Sequence, residues 1–454
     1  MRGTITTSPG SRPAGNGSGI HERHHAMNTR CGVATALLLI TCWAPLAQAQ
    51  MFSGRLVTSF HTWEQFDTVG SSSTYLRAFQ VAQLSYKQGD FSLNTYLQGA
   101  LNATNAFGDL GRIRAYNLYL RWANIGNVLD LDVGRQAIYA GVGNGTIDGA
   151  LLRAKFLENQ LRVIGYWGAT VDPTFTGVQK NWHDNRAFGG QIITTAVRGL
   201  RLGVSYMNRR EEREAYATVR ARDTTFEAYP YYISNDSRSQ EFVSGDAYYT
   251  YERIFSLYGR YDFDMNFSKT SRAQGGARVN ITNALTLTGD YIYRSPRISY
   301  NSIFSAFVDN SVSDVEAGVE YGFTPLLRAF ARYAWVSYTD IESNRYTIGV
   351  NNGYGSISYS GSDGYAGELQ SVNLTGSYPL MENKLVPTLG FNFASYRLSA
   401  EDDRSDALSF LLGLIVRPTR NLWFDGQVQW MSNKIYDRDL RLQLKLTYWF
   451  AQRL

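Results

Sequence analysis

The sequence predicts an all-β fold, a single transmembrane antiparallel up-and-down β-barrel of 18 to 20 strands, on three observations. Apolar and polar residues alternate with a period of two through most of the chain, as strands with one greasy and one wet face require. The alternating runs are about ten residues long, the length of a tilted strand that crosses the hydrocarbon layer. Aromatic residues tip them, at Tyr116 and Trp122, Trp167, Tyr206, Tyr291 and Tyr293, Tyr333 and Trp335, and Tyr448 and Phe450, where a membrane interface would hold them. A soluble sandwich also alternates, but the length of the runs and their aromatic tips favour the barrel. With 454 residues, 44% of them hydrophobic and 14% aromatic, the chain carries too much apolar surface to be disordered.

From the amino terminus, residues 1–26 read as sequence upstream of the natural start at Met27, so His21, His24 and His25 are not taken as a metal site. Residues 27–49 read as a secretory signal: Met27 and Arg30 in a short n-region, an apolar run over 33–40, and the small-x-small pattern Ala47-Gln48-Ala49, with a mature start at Gln50. The apolar run is far shorter than the ~20 residues of a spanning helix. Both cysteines, Cys31 and Cys42, fall in this segment, which leaves the mature chain without a disulfide framework or a cysteine zinc site. Cleavage removes four basic side chains (Arg2, Arg12, Arg23 and Arg30) and one acidic (Glu22), leaving 40 basic and 38 acidic residues. Near neutrality gives nucleic-acid binding no electrostatic support.

Residues 50–454 are expected to form the barrel as one domain. Short connectors occur at 87–90, 124–127, 157–159, 197–199, 252–254, 282–283, 322–325, 380–383 and 418–420, with two strands and a generally longer loop between consecutive members. The short turns would face the periplasm and the longer loops the outside. Residues 73–87 alternate poorly, and 240–251 reads as strand or loop. Alternation is clear in Leu285, Leu287, Gly289, Tyr291 and Tyr293 against Thr286, Thr288, Asp290, Ile292 and Arg294. It is strictest at the end, where Leu440, Leu442, Leu444, Leu446, Tyr448 and Phe450 alternate with Asp439, Arg441, Gln443, Lys445, Thr447 and Trp449. Long loops are expected over 212–239, 296–310 and 339–365, any of which could fold inward as a constriction or stay a surface loop.

If the apolar face meets lipid, the alternate positions face a wet lumen. The inward basic candidates are Arg121, Arg153, Lys155, Arg162, Arg201, Arg260, Arg272, Arg278, Arg294, Arg328, Arg332 and Lys445. The acidic candidates are Asp130, Asp132, Asp262, Asp290, Asp314, Glu316, Glu320 and Asp425. Opposed rows of this kind either set up a transverse field that orients water and polar solutes, or neutralise one another and brace the wall. The basic excess leans towards anionic solutes.

Catalysis has little to draw on. The mature chain holds two histidines, His61 and His183, both expected near the outer rim, and Asp184 adjoins His183 on the opposite face of a strand. A rim hydrolase is therefore the minor reading, beside a structural or adhesive barrel with a plugged lumen, and no cofactor is expected. The most distinctive segment, 134–150, joins a strand end, a glycine-rich loop and a strand start; it lacks the GxGxxG and GK[ST] spacings of phosphate loops, and its glycines permit unusual dihedrals in a tight loop.

This pattern of strand, Gly134-Arg135-Gln136, glycine loop, Asp148-Gly149 and strand resembles a hairpin of the alginate-export type of outer-membrane barrel. The resemblance implies about eighteen strands and an arginine-lined pore, with Arg135 and Asp148 at its motif positions. The last strand, alternating up to Phe450 with 451–454 beyond it, resembles the signal read by the barrel-assembly machinery. The expectation is an outer-membrane porin for small polar or anionic solutes, in contact with outer-membrane lipid and lipopolysaccharide.

Overall fold

The computed structural model describes residues 50–454 except 68–69, 103–112, 173, 176–180, 213–215, 222–227, 234–238, 297–310, 339–340, 365–366, 400 and 454. The expected upstream segment 1–26, the signal segment 27–49 and nearly all of the expected loop 296–310 lie outside the described residues.

The strands run in hairpins along the chain. The first are β1 (Gln50–Asp67), β2 (Ser72–Gln88), β3 (Phe91–Asn102), β4 (Ile113–Ile125), β5 (Leu129–Ala140), β6 (Gly143–Phe156), β7 (Leu161–Thr170), β8 (Arg186–Thr194) and β9 (Leu200–Arg210). Two short strands follow, β10 (Tyr216–Ala221) and β11 (Ala228–Ile233), paired only with each other, so β9 takes β12 (Gln240–Tyr251) as its neighbour. The wall continues through β13 (Phe255–Asp264), β14 (Lys269–Asn280), β15 (Leu285–Arg294), β16 (Val312–Gly322), β17 (Arg328–Tyr338), β18 (Glu342–Asn352), β19 (Gly355–Asp363) and β20 (Glu368–Ser377). It ends with β21 (Leu385–Arg397), β22 (Ser405–Thr419), β23 (Leu422–Ser432) and β24 (Tyr436–Arg453), and β24 pairs back onto β1. All pairings are antiparallel, and the result is a closed 22-stranded up-and-down barrel. Closure gives each of the 22 wall strands two neighbours, so the wall has no open backbone edge.

The all-β barrel expected from the period is the observed fold, with a higher strand number. Within the expected loop 339–365, residues 342–363 form the hairpin β18–β19, turning at Gly353 and Tyr354. Residues 240–251 and 73–87 are full strands, and part of 212–239 is the hairpin β10–β11. The β24 ladder runs past Phe450 to Arg453, opposite Met51, while Phe450 packs against Phe52 at 5.1 Å between centroids.

One face of the wall is an exposed apolar band, including Leu118, Leu120, Trp122, Trp167, Tyr291, Trp335, Phe410, Leu412, Leu414 and Tyr448. Tyr116 departs from it: its hydroxyl donates to Gln98 Oε1 at 2.7 Å on the polar face. Leu412 sits at the middle of β22 with 62% of its surface exposed. Leu412→Arg is expected to lower the unfolding free energy in lipid vesicles by about 2–4 kcal/mol, read from denaturant titration of tryptophan fluorescence.

Candidate functional site

The glycine-rich segment leaves the wall. β5 pairs with β4 only up to Arg135, opposite Leu118, and β6 pairs with β7 only from Ile147, opposite Thr170. Between these points the two strands pair with each other alone, turning at Gly141 and Val142. Gly134 is the hinge. Its φ of 129° lies where side chains are disfavoured, and a Cβ there would run into the Leu118 carbonyl. The hairpin then lies across the polar face. Val142 N–H donates to Ser205 Oγ on β9 at 2.9 Å, and Arg260 of β13 donates to the Gly141 carbonyl at 3.4 Å. Ile138, Ala140 and Ile147 bury themselves against Tyr166 and Ala187, and Val142 against Met207 and Phe242. A hairpin rooted between β4 and β7 can touch β7, β8, β9, β12 and β13 together only on a concave surface, so the polar face is the inside of the barrel.

Arg135 and Asp148 close the gap left behind. They form a bidentate pair, Nε to Oδ1 and Nη2 to Oδ2, both 2.7 Å, and Arg135 Nη1 also donates to the carbonyls of Ala115 and Phe175 at 3.3 and 3.4 Å. This pair braces the base of the hairpin, and the guanidinium adds a second donor to the Phe175 carbonyl, which also accepts from the Ala115 N–H at 3.0 Å. The hairpin tip borders a cavity of about 930 Å³ whose other walls include Arg201, Asp246, Tyr258, Arg260, Arg272 and Arg294.

Charges on the inner face meet in pairs and clusters across neighbouring strands. Asp132, 1% exposed, accepts from Arg121 and Arg153, both at 2.7 Å, and Asp130 accepts from Lys155 at 2.6 Å. Arg162 stands opposite Lys155 in the ladder. Arg201 pairs with Asp246, Arg260 with Asp262 at 2.8 Å, and Arg272 with Gln274 while standing opposite Asp262 and Arg294. Asp290 accepts from the Tyr258 hydroxyl at 2.6 Å and faces Glu316 in register. Glu320 gathers three arginines: Arg278 at 2.8 Å, Arg332 at 3.6 Å and Arg328 at 3.7 Å. Asp425 holds Lys445 at 2.9 Å.

Several partners were not legible. Asp314 and Glu316 share Arg345 at 3.1 Å each, a residue inside the expected loop 339–365, although Tyr346, Ile348 and Val350 alternate there with Thr347 and Gly349 before an Asn-Gly turn signal. Asp246 was hidden because the outward positions of β12 include Gly245 and Ala247 rather than large apolar residues. Arg397 and Arg404 pair with Glu368, and Arg441 with Asp439, whose buried carboxylate it reaches at 2.7 Å. At the rim, Asp184 is engaged by Asn181 and by Arg210 at 3.8 Å, while His183 is exposed, so the two do not form an acid–base pair.

Asp132→Asn is expected to lower stability by about 1.5–3 kcal/mol, the range for hydrogen bonds to charged groups, because two guanidinium groups lose one shared acceptor. The midpoint of heat-modified migration on a gel would measure it.

No protein-family model and no curated protein sequence matches the chain. Among solved structures, the chain is similar in fold to the P pilus usher (PapC) translocation pore, with a TM-score of 0.47, 9% identity, and 87% of this chain and 99% of that chain covered. A BenF-like porin from Pseudomonas fluorescens Pf-5 gives 0.41 at 9% identity, covering 90% and 100%. OpdQ from Pseudomonas aeruginosa gives 0.39 at 12%, covering 88% and 98%.

Proposed function

We propose that the chain is a bacterial outer-membrane channel through which small polar solutes, anions by preference, diffuse passively. The observation that carries this reading is the β5–β6 hairpin, folded over the inner face and leaving a charged cavity beside it. A barrel of 22 strands has the even count of outer-membrane barrels and is wider than the roughly 16–18 strands that suffice to enclose water, although barrels of this count also occur with a plugged lumen. The inward basic and acidic residues named above would line the passage, and the ion pairs among them would hold the wall while the looser arginines meet solute. Residues 27–49 would direct export, β24 would engage the assembly machinery, and lipid and lipopolysaccharide would surround the apolar band. The alginate-export likeness of 134–150 agrees with a pore, and no polymer is assigned from it.

Reconstitution of mature protein into planar bilayers tests the reading. Stable open steps with anion-leaning reversal potential are expected. Silence would favour a plugged surface barrel, and hydrolytic activity lost on His183→Ala would favour the rim enzyme.

A further inference from the structure

The inner face is divided. From β4 to β18 it is ionic, whereas from β19 through β24 to β3 it presents chiefly Ser, Thr, Asn and Gln: Ser360 stands opposite Ser371, Ser358 opposite Asn373, and Gln427 opposite both Gly413 and Gln443. Charges on this side are fewer and mostly paired: Lys445 with Asp425, Arg441 with Asp439, and Arg397 and Arg404 with Glu368. Set into this wall are two cavities, each with an indole. The first, about 470 Å³, lies in the half nearer the long loops; His61, Trp63, Gln427, Gln429 and Gln443 line it beside Arg441, whose guanidinium is held by Asp439. Trp63 stacks on Tyr75 with centroids 5.0 Å apart and planes 21° from parallel, which fixes the indole as a rigid plate. Among the described residues, neither His61 nor Gln443 has a side-chain hydrogen-bond partner. The second cavity, about 590 Å³, lies nearer the short turns and is lined by Trp449, Arg55, Gln83, Asn94 and Tyr96. Arg55 lies over the Trp449 ring at 5.0 Å.

Resting on the channel reading, we propose that this wall is a carbohydrate-binding track, with a pyranose subsite at Trp63 and a second at Trp449. A pyranose ring offers a flat patch of C–H groups to an aromatic plate and a rim of hydroxyls that both donate and accept. Glutamine amides offer such hydroxyls both a donor and an acceptor, and the His61 imidazole adds ring nitrogens to the same edge. Arg441 is held by Asp439 and Arg55 lies over Trp449, so the groups left to meet a solute are chiefly neutral, and a purely apolar solute would strand the amides. Both cavities have the size of small-ligand sites. Trp63 and Trp449, the latter opposite Arg55, are separated by eight residues along β1, about 26 Å of strand, so the subsites would be met in succession by a moving oligosaccharide.

The test uses refolded mature chain, with two readouts. In planar bilayers, maltotriose, cellotriose and raffinose are added to open channels; in detergent, the same sugars are titrated calorimetrically. Concentration-dependent current block by at least one neutral sugar is expected. Trp63→Ala should raise the half-blocking concentration about tenfold, the equivalent of one aromatic contact of ~1.4 kcal/mol, and Trp63→Phe should recover most of it. The pair Gln427→Ala with Gln443→Ala should weaken block without touching the plate, and heat-modified gel migration verifies that each variant is folded. Open channels that no neutral sugar blocks, or block unchanged in folded Trp63→Ala and Trp449→Ala, overturn the track. Absence of open channels with calorimetric binding that Trp63→Ala weakens would remove the channel reading and leave the subsite standing. Absence of both would remove both.

Discussion

On the proposed channel reading, replacing residues 136–147 by an Asn-Gly turn is expected to raise the single-channel conductance several-fold. The replacement leaves Arg135 opposite Asp148, flanking a two-residue connection of the kind that suits antiparallel strands. It removes the part of the hairpin beyond the wall ladder and gives up only the terminal pairing of Ile147 with Thr170, so the ladder from Asp148 onward is kept. Six residues from Arg135 to Gly141 reach about 20 Å across the inner face, a large share of the passage. Detachment without deletion gives the same direction: Ile147→Asp places a carboxylate on the buried underside against Tyr166 and Ala187, and burial of an unpaired charge there is costly enough to lift the hairpin. Single-channel recordings in planar bilayers measure both. Unchanged conductance in a folded deletion variant would put the narrowest point elsewhere.

Arg328→Glu combined with Arg332→Glu is expected to turn the proposed channel towards cations. Arg278 holds Glu320 at 2.8 Å, whereas Arg332 and Arg328 stand off at 3.6 and 3.7 Å and are 47% and 56% exposed. The two outer arginines are therefore available to a passing ion. A unit charge about 4 Å from an ion is worth about 1–4 kcal/mol between bulk water and a partly screened protein surface. Reversing two of them outweighs the modest basic excess of the lining. The reversal potential in a salt gradient should move to the cation side, and the shift should shrink as salt rises, because screening lengths fall to about 10 Å at 0.1 M. A reversal potential that stays put would contradict the exposure of these arginines to the permeation path.

Much of this was legible in the residues. Strict alternation in β15, β23 and β24 gave their inward and outward faces, because the side-chain period of a strand is a local property. The short turns gave the hairpin order. The strand number exceeds the expected one partly at Asn352 and Gly353, where a short turn joins two alternating runs, β18 and β19, the first of which carries Arg345. β12 was ambiguous because Gly245 and Ala247 weaken its apolar face, and pairing with β9 and β13 settled it. Tyr116 sits at a register shift between β3 and β4, which turns it from the expected girdle to the polar side.

The path of the 134–150 hairpin shows the boundary most clearly. Its glycines announced unusual dihedrals, and Gly134 has one, but the direction of the bend depends on where Ser205, Tyr166 and Arg260 stand. Arg260 is 119 residues from the carbonyl it meets. By itself the sequence determined a barrel with an apolar outside and a charged inside, since each strand encodes its own two faces. Only the tertiary structure decided which arginine reaches which carboxylate and that the glycine hairpin crosses the lumen, because those outcomes are set by contacts between strands that the closed ladder brings together.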